Sequence, residues 1–175
     1  MYVNYSIKKN INNICLNRCL LYLCQAMKIN EIIRQKQFRD EQERAWINLV
    51  YTFNHLTDRI NKVFRQFDIT NQQYNVLRIL RGRKDQVSCC SDVKEVMLDK
   101  NPDLTRLCDR LVVKGLIKRE PNEFNRREVG LSITADGLAL LEKIQPEMEK
   151  HNRFLYNLTE EEATRLSLLI DKLRE

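Results

Sequence analysis

The hydrophobic period of this sequence changes at Gly115, and that change restricts the folds open to the chain. Between residues 70 and 114, apolar residues recur at steps of three and four in three short runs, the spacing of helices with one buried face. Residues 116–119 instead have the composition of a short strand, residues 128–133 alternate between apolar and polar, and the segment 121–127 between them is polar and basic. This order predicts three short helices followed by a two-stranded β-hairpin with a basic tip.

Capping residues place the boundaries of the three short helices. Short polar side chains can accept the free N–H groups of a first helical turn, and glycine commonly follows a last turn. Gly82 and Gly115 are the expected stops. The expected starts are Thr70 or Asn71, Ser88 or Ser91, and Asn101 followed by Pro102 at the first helical position.

Longer amphipathic helices flank this unit. Thr134 is expected to cap one that follows the hairpin, and Thr159 opens another with a capping box. The segment 41–67 has the longest stripe, about six helical turns, so it packs either on a second subunit or as a central core helix. Its apolar positions are Trp46, Leu49, Val50, Phe53, Leu56, Ile60, Val63, Phe64 and Phe67.

Composition agrees with one mainly helical domain. The chain has 175 residues, with only 4 Gly and 3 Pro. Its net charge of +6 is unevenly distributed, since residues 70–130 hold 13 Lys or Arg against 9 Asp or Glu, whereas residues 131–175 hold 6 against 9. A basic middle segment favours an anionic partner, although a solvated helical surface gives the same balance.

Residues 1–26 are interpreted as an N-terminal extension outside the working fold. Lys8 and Lys9 precede an apolar run, as in a signal peptide, but Asn17 and Arg18 interrupt it and leave too few apolar residues for a spanning helix. The alternatives are a start-site or expression artefact and a targeting arm. We expect a cytoplasmic protein, because the six cysteines lack the scatter of a secreted disulfide framework.

The sequence gives no sign of catalysis, of a metal or of a cofactor. It contains no Gly-rich phosphate loop, HExxH, GxSxG or His/carboxylate cluster, so we expect no enzyme activity. The cysteines form no CxxC pair, and His55 and His151 lie far from them in sequence, so we expect no zinc site.

Three helices and a basic hairpin are the layout of a winged helix-turn-helix, whose third helix enters the major groove of DNA. We therefore predict a mainly α fold with a small β-hairpin wing. Arg106 is the first candidate for a base contact, because a guanidinium can bond guanine O6 and N7 together. A surface ion pair with Asp103 or Asp109 is the alternative. The polar positions of the third helix are Asn101, Asp103, Thr105, Arg106, Asp109 and Arg110.

The same segment resembles the MarR-type transcriptional regulators. LTRLCDRLVVKGLIKR at 104–119, Pro121-Asn122, Asn125-Arg126-Arg127 and LSIT at 131–134 are similar to the recognition helix and wing of that family. The resemblance is clearest over residues 70–140. It implies a winged helix-turn-helix at 70–136 and a helical dimerisation region formed by 27–69 and 137–175.

The resemblance also implies a function and a wing contact. It implies a homodimer that binds double-stranded DNA at a palindromic operator, as a repressor, with Arg127 in the minor groove. Asn125 replaces the usual Asp of the family's wing motif, which puts the wing-bracing salt bridge in doubt, and Arg126 is either solvated or on phosphate. The alternative is a winged-helix module that binds protein without specific DNA binding.

Many members of that family release DNA when a small aromatic or phenolic effector binds or a cysteine is oxidised. Trp46, Phe53 and Tyr74 are the candidate pocket residues, although aromatic residues at helical spacing are more often plain core. Cys89, Cys90 and Cys108 are the redox candidates, and buried or incidental thiols are the preferred interpretation.

Overall fold

The described residues of the chain are mostly helical. The computed structural model describes residues 27–83, 87–100, 102–121 and 129–175. The helices are α1 (Ile29–Ile32), α2 (Glu41–Arg65), α3 (Asn71–Gly82), α4 (Cys90–Val96), α5 (Leu104–Val113), α6 (Ala135–His151) and α7 (Glu160–Lys172), with a 3-10 turn at Asn152–Asn157. The strands are β1 (Ser88–Cys89), β2 (Ile117–Pro121) and β3 (Val129–Ile133).

The predicted fold class is confirmed, with one more strand than the sequence indicated. Strands β2 and β3 form the expected antiparallel hairpin, in a register that pairs Ile117 with Ile133 and Pro121 with Val129. β1 pairs with the other edge of β3, so the sheet order is β1-β3-β2. Within the described ranges, no helix is both long and apolar enough to cross a membrane.

The described residues fall into two units, one ending at Asn54 and the other beginning at His55. The first contains α1 and the start of α2. Asp40 caps α2 there, because its carboxylate accepts the Glu43 N–H at 2.7 Å. The backbone hydrogen bond from Glu43 and the side chain of Arg39 hold the pKa of Asp40 below its usual value.

The second unit has one hydrophobic core that joins the end of α2 to the winged helix. Phe64, Leu77, Leu111, Leu131 and Ile144 are fully buried and come from α2, α3, α5, β3 and α6 respectively. The Phe64 ring lies 4.6 Å from the Tyr74 ring, centroid to centroid. Helix α5 is therefore packed on the same core as α2 and α6, the two helices that flank the winged unit.

The helix starts agree with the capping residues at most positions. Thr70, Thr134 and Thr159 accept the N–H of the third residue beyond them, as predicted. α4 instead begins after Cys89, whose N–H donates to the Asp92 carboxylate at 3.1 Å, so neither predicted serine caps it. This difference moves the start of α4, and the helix itself is present as predicted.

The start expected for α5 at Asn101-Pro102 is wrong. The helix begins at Leu104, and the Asp103 carboxylate accepts the Arg106 N–H at 3.3 Å. Asp103, which stands directly before the buried Leu104, is therefore the N-cap.

The end of α5 is held to the turn that follows α2. The ammonium of Lys114, the C-cap residue, lies 2.9 Å from the Asp68 carboxylate and also donates to the Asp68 carbonyl. Gly115 follows with φ at +69°, in the left-handed region that L side chains rarely adopt. Lys114 and Gly115 together fix where α5 ends and β2 begins.

Gly115→Ala is expected to lower the free energy of unfolding by about 1–2 kcal/mol, because a Cβ is strained at this positive φ. Urea denaturation followed by circular dichroism measures the change. Gly82→Ala is the matched control, since Gly82 is helical and an added Cβ meets no heavy atom within 4 Å. Helix propensity should make that control neutral or slightly stabilising. Equal losses of unfolding free energy in the two variants would contradict the strain attributed to the positive φ of Gly115.

Candidate nucleic-acid interface

The recognition helix α5 has one buried face and one polar face. Leu104, Leu107, Cys108 and Leu111 are buried, which orients the helix against the core. The predicted polar positions lie on the other side and are exposed: Asp103, Thr105, Arg106, Asp109 and Arg110. A helix with this division presents its polar side chains to a partner while its apolar side stays in the protein.

Arg106 forms the ion pair that the sequence offered as the alternative to a base contact. Its Nε lies 3.2 Å from the Asp103 carboxylate, and the Arg106 side chain is 79% exposed. An exposed pair of this kind contributes little to stability. It does hold the guanidinium near the first turn of α5, which is the part of a recognition helix that contacts base edges.

Asp109 and Arg110 differ in their contacts. Asp109 accepts a hydrogen bond from Arg119 of β2 at 2.6 Å, so this pair links the recognition helix to the wing. The Arg110 side chain has no hydrogen bond or ion pair with any described residue. The guanidinium of Arg110 is therefore available to a partner, and that of Arg119 is engaged.

The predicted wing-tip residues Asn125, Arg126 and Arg127 lie outside the described residues, as does Asn101. The strands that lead to the tip are described, and Lys118 and Arg119 of β2 are exposed. The roles assigned to these four residues stay predictions.

Two hydrogen bonds that the sequence did not indicate hold the turn between α4 and α5. The Leu98 N–H donates to the Asn75 side-chain oxygen at 3.1 Å, and the Gln72 amide donates to the Asp99 carboxylate. Both acceptor–donor pairs join residues more than twenty positions apart, so no local pattern signals them. They fix the turn of the helix-turn-helix on α3.

The three candidate pocket residues have different surroundings. Tyr74 is buried and stacks on Phe64, as a core residue does. Trp46 and Phe53, seven residues apart on α2, are 61% and 66% exposed. The assignment of these residues to an effector site stays a prediction.

Among the described residues, Cys89, Cys90 and Cys108 form no disulfide with one another. Cys108 is fully buried, and burial together with the neighbouring Cys90 raises the pKa of its thiol to about 12. A thiol with this pKa is almost entirely protonated at neutral pH and reacts slowly with oxidants. Cys108 therefore has the chemistry of a core residue, in line with the preferred interpretation.

No protein-family model matches the chain. The multiple antibiotic resistance protein MarR of Salmonella typhimurium is 35% identical over 130 residues, which are 71% of this chain and 88% of that protein. The crystal structure of a MarR transcription factor from Planctomyces limnophilus is 32% identical, with a TM-score of 0.59, and the match covers 77% of this chain and 98% of that one.

A third similarity is to a mutant MarR of Escherichia coli solved in complex with operator DNA. It has a TM-score of 0.62 and 29% identity, and the match covers 72% of this chain and 91% of that one. These relatives are regulators and not enzymes. The resemblance found in the recognition helix and wing thus extends through most of the chain, which belongs to the MarR family of winged helix-turn-helix transcriptional regulators.

Proposed function

We propose that the chain binds duplex DNA sequence-specifically, as a cytoplasmic homodimer that represses transcription at a palindromic operator. The division of α5 into a buried and a polar face carries the proposal, because ten helical residues with exposed Arg106 and Arg110 fit the roughly 12 Å wide major groove. The operator complex of the related E. coli MarR supports the same mode of binding.

The wing extends this interface. We assign Arg127 to the minor groove, whose negative potential attracts a guanidinium, and Arg126 to a phosphate. Asn125 supplies no charge to brace them. The ion pair between Asp109 and Arg119 supports this assignment, because it ties β2 and therefore the wing to the helix that lies in the neighbouring groove.

The dimer is assigned to the helices at both ends of the fold, residues 27–69 and 137–175. On α7 and at its C-cap, the apolar side chains of Leu166, Leu169 and Leu173 are 45%, 55% and 68% exposed. Exposed apolar stripes of this size are typical of surfaces that bind another protein. Two winged helices related by a two-fold axis would then face two half-sites of one operator.

The regulator is proposed to release DNA when a small aromatic or phenolic effector binds. The exposed Trp46 and Phe53 are candidate contacts for such a ligand, because aromatic rings stack on one another and bury large apolar areas. Tyr74 is the weakest of the three candidates, since its ring already packs on Phe64.

A mobility-shift titration against the DNA upstream of the chain's own coding region tests the proposal. We expect specific retardation that persists against excess unrelated duplex and weakens steeply between two salt concentrations. Binding no tighter to this DNA than to the competitor would be followed by selection from a random duplex library. If no sequence were enriched there either, the winged-helix protein-interaction module would replace the present proposal.

A further inference from the structure

The C-terminal end of α5 is hydrogen-bonded to the segments that adjoin both flanking helices. Toward α2, the Lys114 ammonium lies 2.9 Å from the Asp68 carboxylate and also donates to the Asp68 carbonyl. Toward α6, the Thr134 hydroxyl donates to the Gly115 carbonyl at 2.7 Å, and the Thr134 N–H donates to the Leu116 carbonyl at 3.1 Å. The end of α5 is therefore joined both to the turn after α2 and to the N-cap residue of α6.

The two links differ in kind. The first turn of α6 approaches the backbone so closely that a Cβ on Gly137 would lie 2.2 Å from the Leu116 carbonyl oxygen. The link to the turn after α2 depends instead on one pair of side chains, since Lys114 reaches across to Asp68, whose own side chain is 96% exposed. A single substitution can therefore break the link to α2 and leave the contact with α6 intact.

Asp68 has a backbone conformation that glycine would adopt with less strain. Its φ is +52°, in the left-handed region, which aspartate and asparagine tolerate better than other side chains do. The turn is fixed on the core, because the next residue, Ile69, is buried and its N–H donates to the Phe64 carbonyl at 3.2 Å. A largely exposed ion pair contributes little to the stability of a fold. The carboxylate is thus better suited to fixing a position than to holding the fold together.

We infer that Asp68 is a positioning residue for operator recognition, whose carboxylate holds the end of α5 in the orientation in which Arg106 and Arg110 contact their half-site. Both arginines lie on the same short helix as Lys114, one and two turns before its end, so a tilt of that end displaces both guanidiniums. Hydrogen bonds to base edges weaken steeply when their geometry changes. The inference rests on the proposed function, because it assumes that α5 contacts bases.

Positioning and simple electrostatics predict opposite effects when the Asp68 carboxylate is removed. A carboxylate repels phosphate, and its removal also frees the Lys114 ammonium, so a purely electrostatic role predicts tighter binding to every duplex. A positioning role predicts weaker binding to the operator, whereas binding to random duplex stays the same or tightens. The ratio of operator affinity to random-duplex affinity therefore separates the two roles.

Fluorescence anisotropy titrations of the full-length protein measure this ratio, at a temperature at which urea denaturation shows each variant to be folded. Asp68→Gly removes the carboxylate at a φ that glycine adopts freely. Asp68→Asn removes the same charge and keeps an oxygen that can accept a hydrogen bond from Lys114. Lys114→Met removes the other partner of the pair. Glu142→Gln, which neutralises an exposed carboxylate on α6, is the control for net charge.

Asp68→Gly is expected to lower the affinity ratio about tenfold, because the proposed homodimer has two such pairs and each can contribute about threefold. Asp68→Asn should lower the ratio less, and Glu142→Gln should leave it unchanged. Asp68→Gly combined with Lys114→Met should lose no more than the larger single loss, because the two residues act through one contact. An unchanged ratio in Asp68→Gly, or additive losses in the double variant, would overturn the inference.

Amide hydrogen exchange tests the same contact in the absence of DNA. Three N–H groups close the end of α5 by donating to its carbonyls at 2.9 to 3.1 Å, those of Lys114, Gly115 and Leu116. They should exchange faster in Asp68→Gly, whereas the Leu107 N–H at the start of the helix should not.

The inference and the proposed function fail in distinguishable ways. Equal affinity of the unsubstituted protein for every duplex would defeat sequence-specific regulation, and the exchange rates would still show whether Asp68 holds the end of α5. Operator preference that survives in Asp68→Gly, with unchanged exchange, would leave the regulator in place and reject Asp68 as a positioning residue.

Discussion

Phe64→Ala is expected to lower the free energy of unfolding by about 3–5 kcal/mol, the range for a large buried aromatic residue. Phe64 has no exposed surface, and its ring contacts Tyr74 on α3. Its removal leaves a cavity where the long helix meets the winged unit. The surrounding side chains belong to several helices that pack on one another, so the site has little freedom to collapse.

Urea denaturation at several protein concentrations measures this loss, because a dimer is more stable at higher concentration. Leu98→Ala is the control, since Leu98 is 86% exposed and lies away from the helices assigned to the dimer. We expect less than about 1 kcal/mol for that change. A double-mutant cycle with Tyr74→Leu should give a coupling of about 0.5–1.5 kcal/mol. Equal losses for Phe64→Ala and Leu98→Ala would contradict the central position of Phe64.

The sequence predicts a helix well where the apolar spacing and the capping residue both lie within that helix. The stripe from Trp46 to Phe67 repeats over many turns, and helix α2 covers it up to Phe64, whereas Phe67 lies in the turn that follows. Thr70, Thr134 and Thr159 sit before apolar runs, and each caps the helix that follows. Periodicity and capping are local properties, so they can be recognised without knowing the tertiary fold.

Features that depend on two distant segments were not predictable. Strand β1 has only two residues, and it exists because Ser88 and Cys89 pair with β3, some forty positions later. The link between Asp109 and Arg119 needs the known placement of β2 against α5. The start of α5 was misplaced, because the N-cap is Asp103, directly before the buried Leu104, rather than Asn101.

The candidate interface also combines features that local sequence predicts with features that depend on distant segments. The polar face of α5 follows from its apolar face, so Arg106 and Arg110 were predicted from spacing alone. The two hydrogen bonds that anchor the turn after α4 on α3 were not, because each joins residues more than twenty positions apart.

Arg106→Ala is expected to cost about 1–3 kcal/mol of discrimination between the operator and a variant at one base pair of each half-site. Arg106 lies in the first turn of α5, and its ion pair with Asp103 holds the guanidinium there before DNA binds. On DNA, a bidentate contact to guanine would replace or share that pair. Competition titrations with operators changed at one position measure the discrimination.

Arg106→Lys separates a base contact from a phosphate contact, because lysine keeps the charge and loses the planar fork. If Arg106→Ala and Arg106→Lys both lose the discrimination between operators, and Arg106→Lys keeps the salt dependence of the unsubstituted protein, Arg106 contacts a base. If Arg106→Ala instead loses affinity equally for all sequences, and Arg106→Lys restores that affinity, Arg106 is a phosphate ligand. Asp103→Asn keeps a good N-cap and removes the ion pair. This variant is expected to bind every duplex more tightly, because the carboxylate that repels phosphate is gone. Its base preference should remain, because only the Arg106 guanidinium contacts the base.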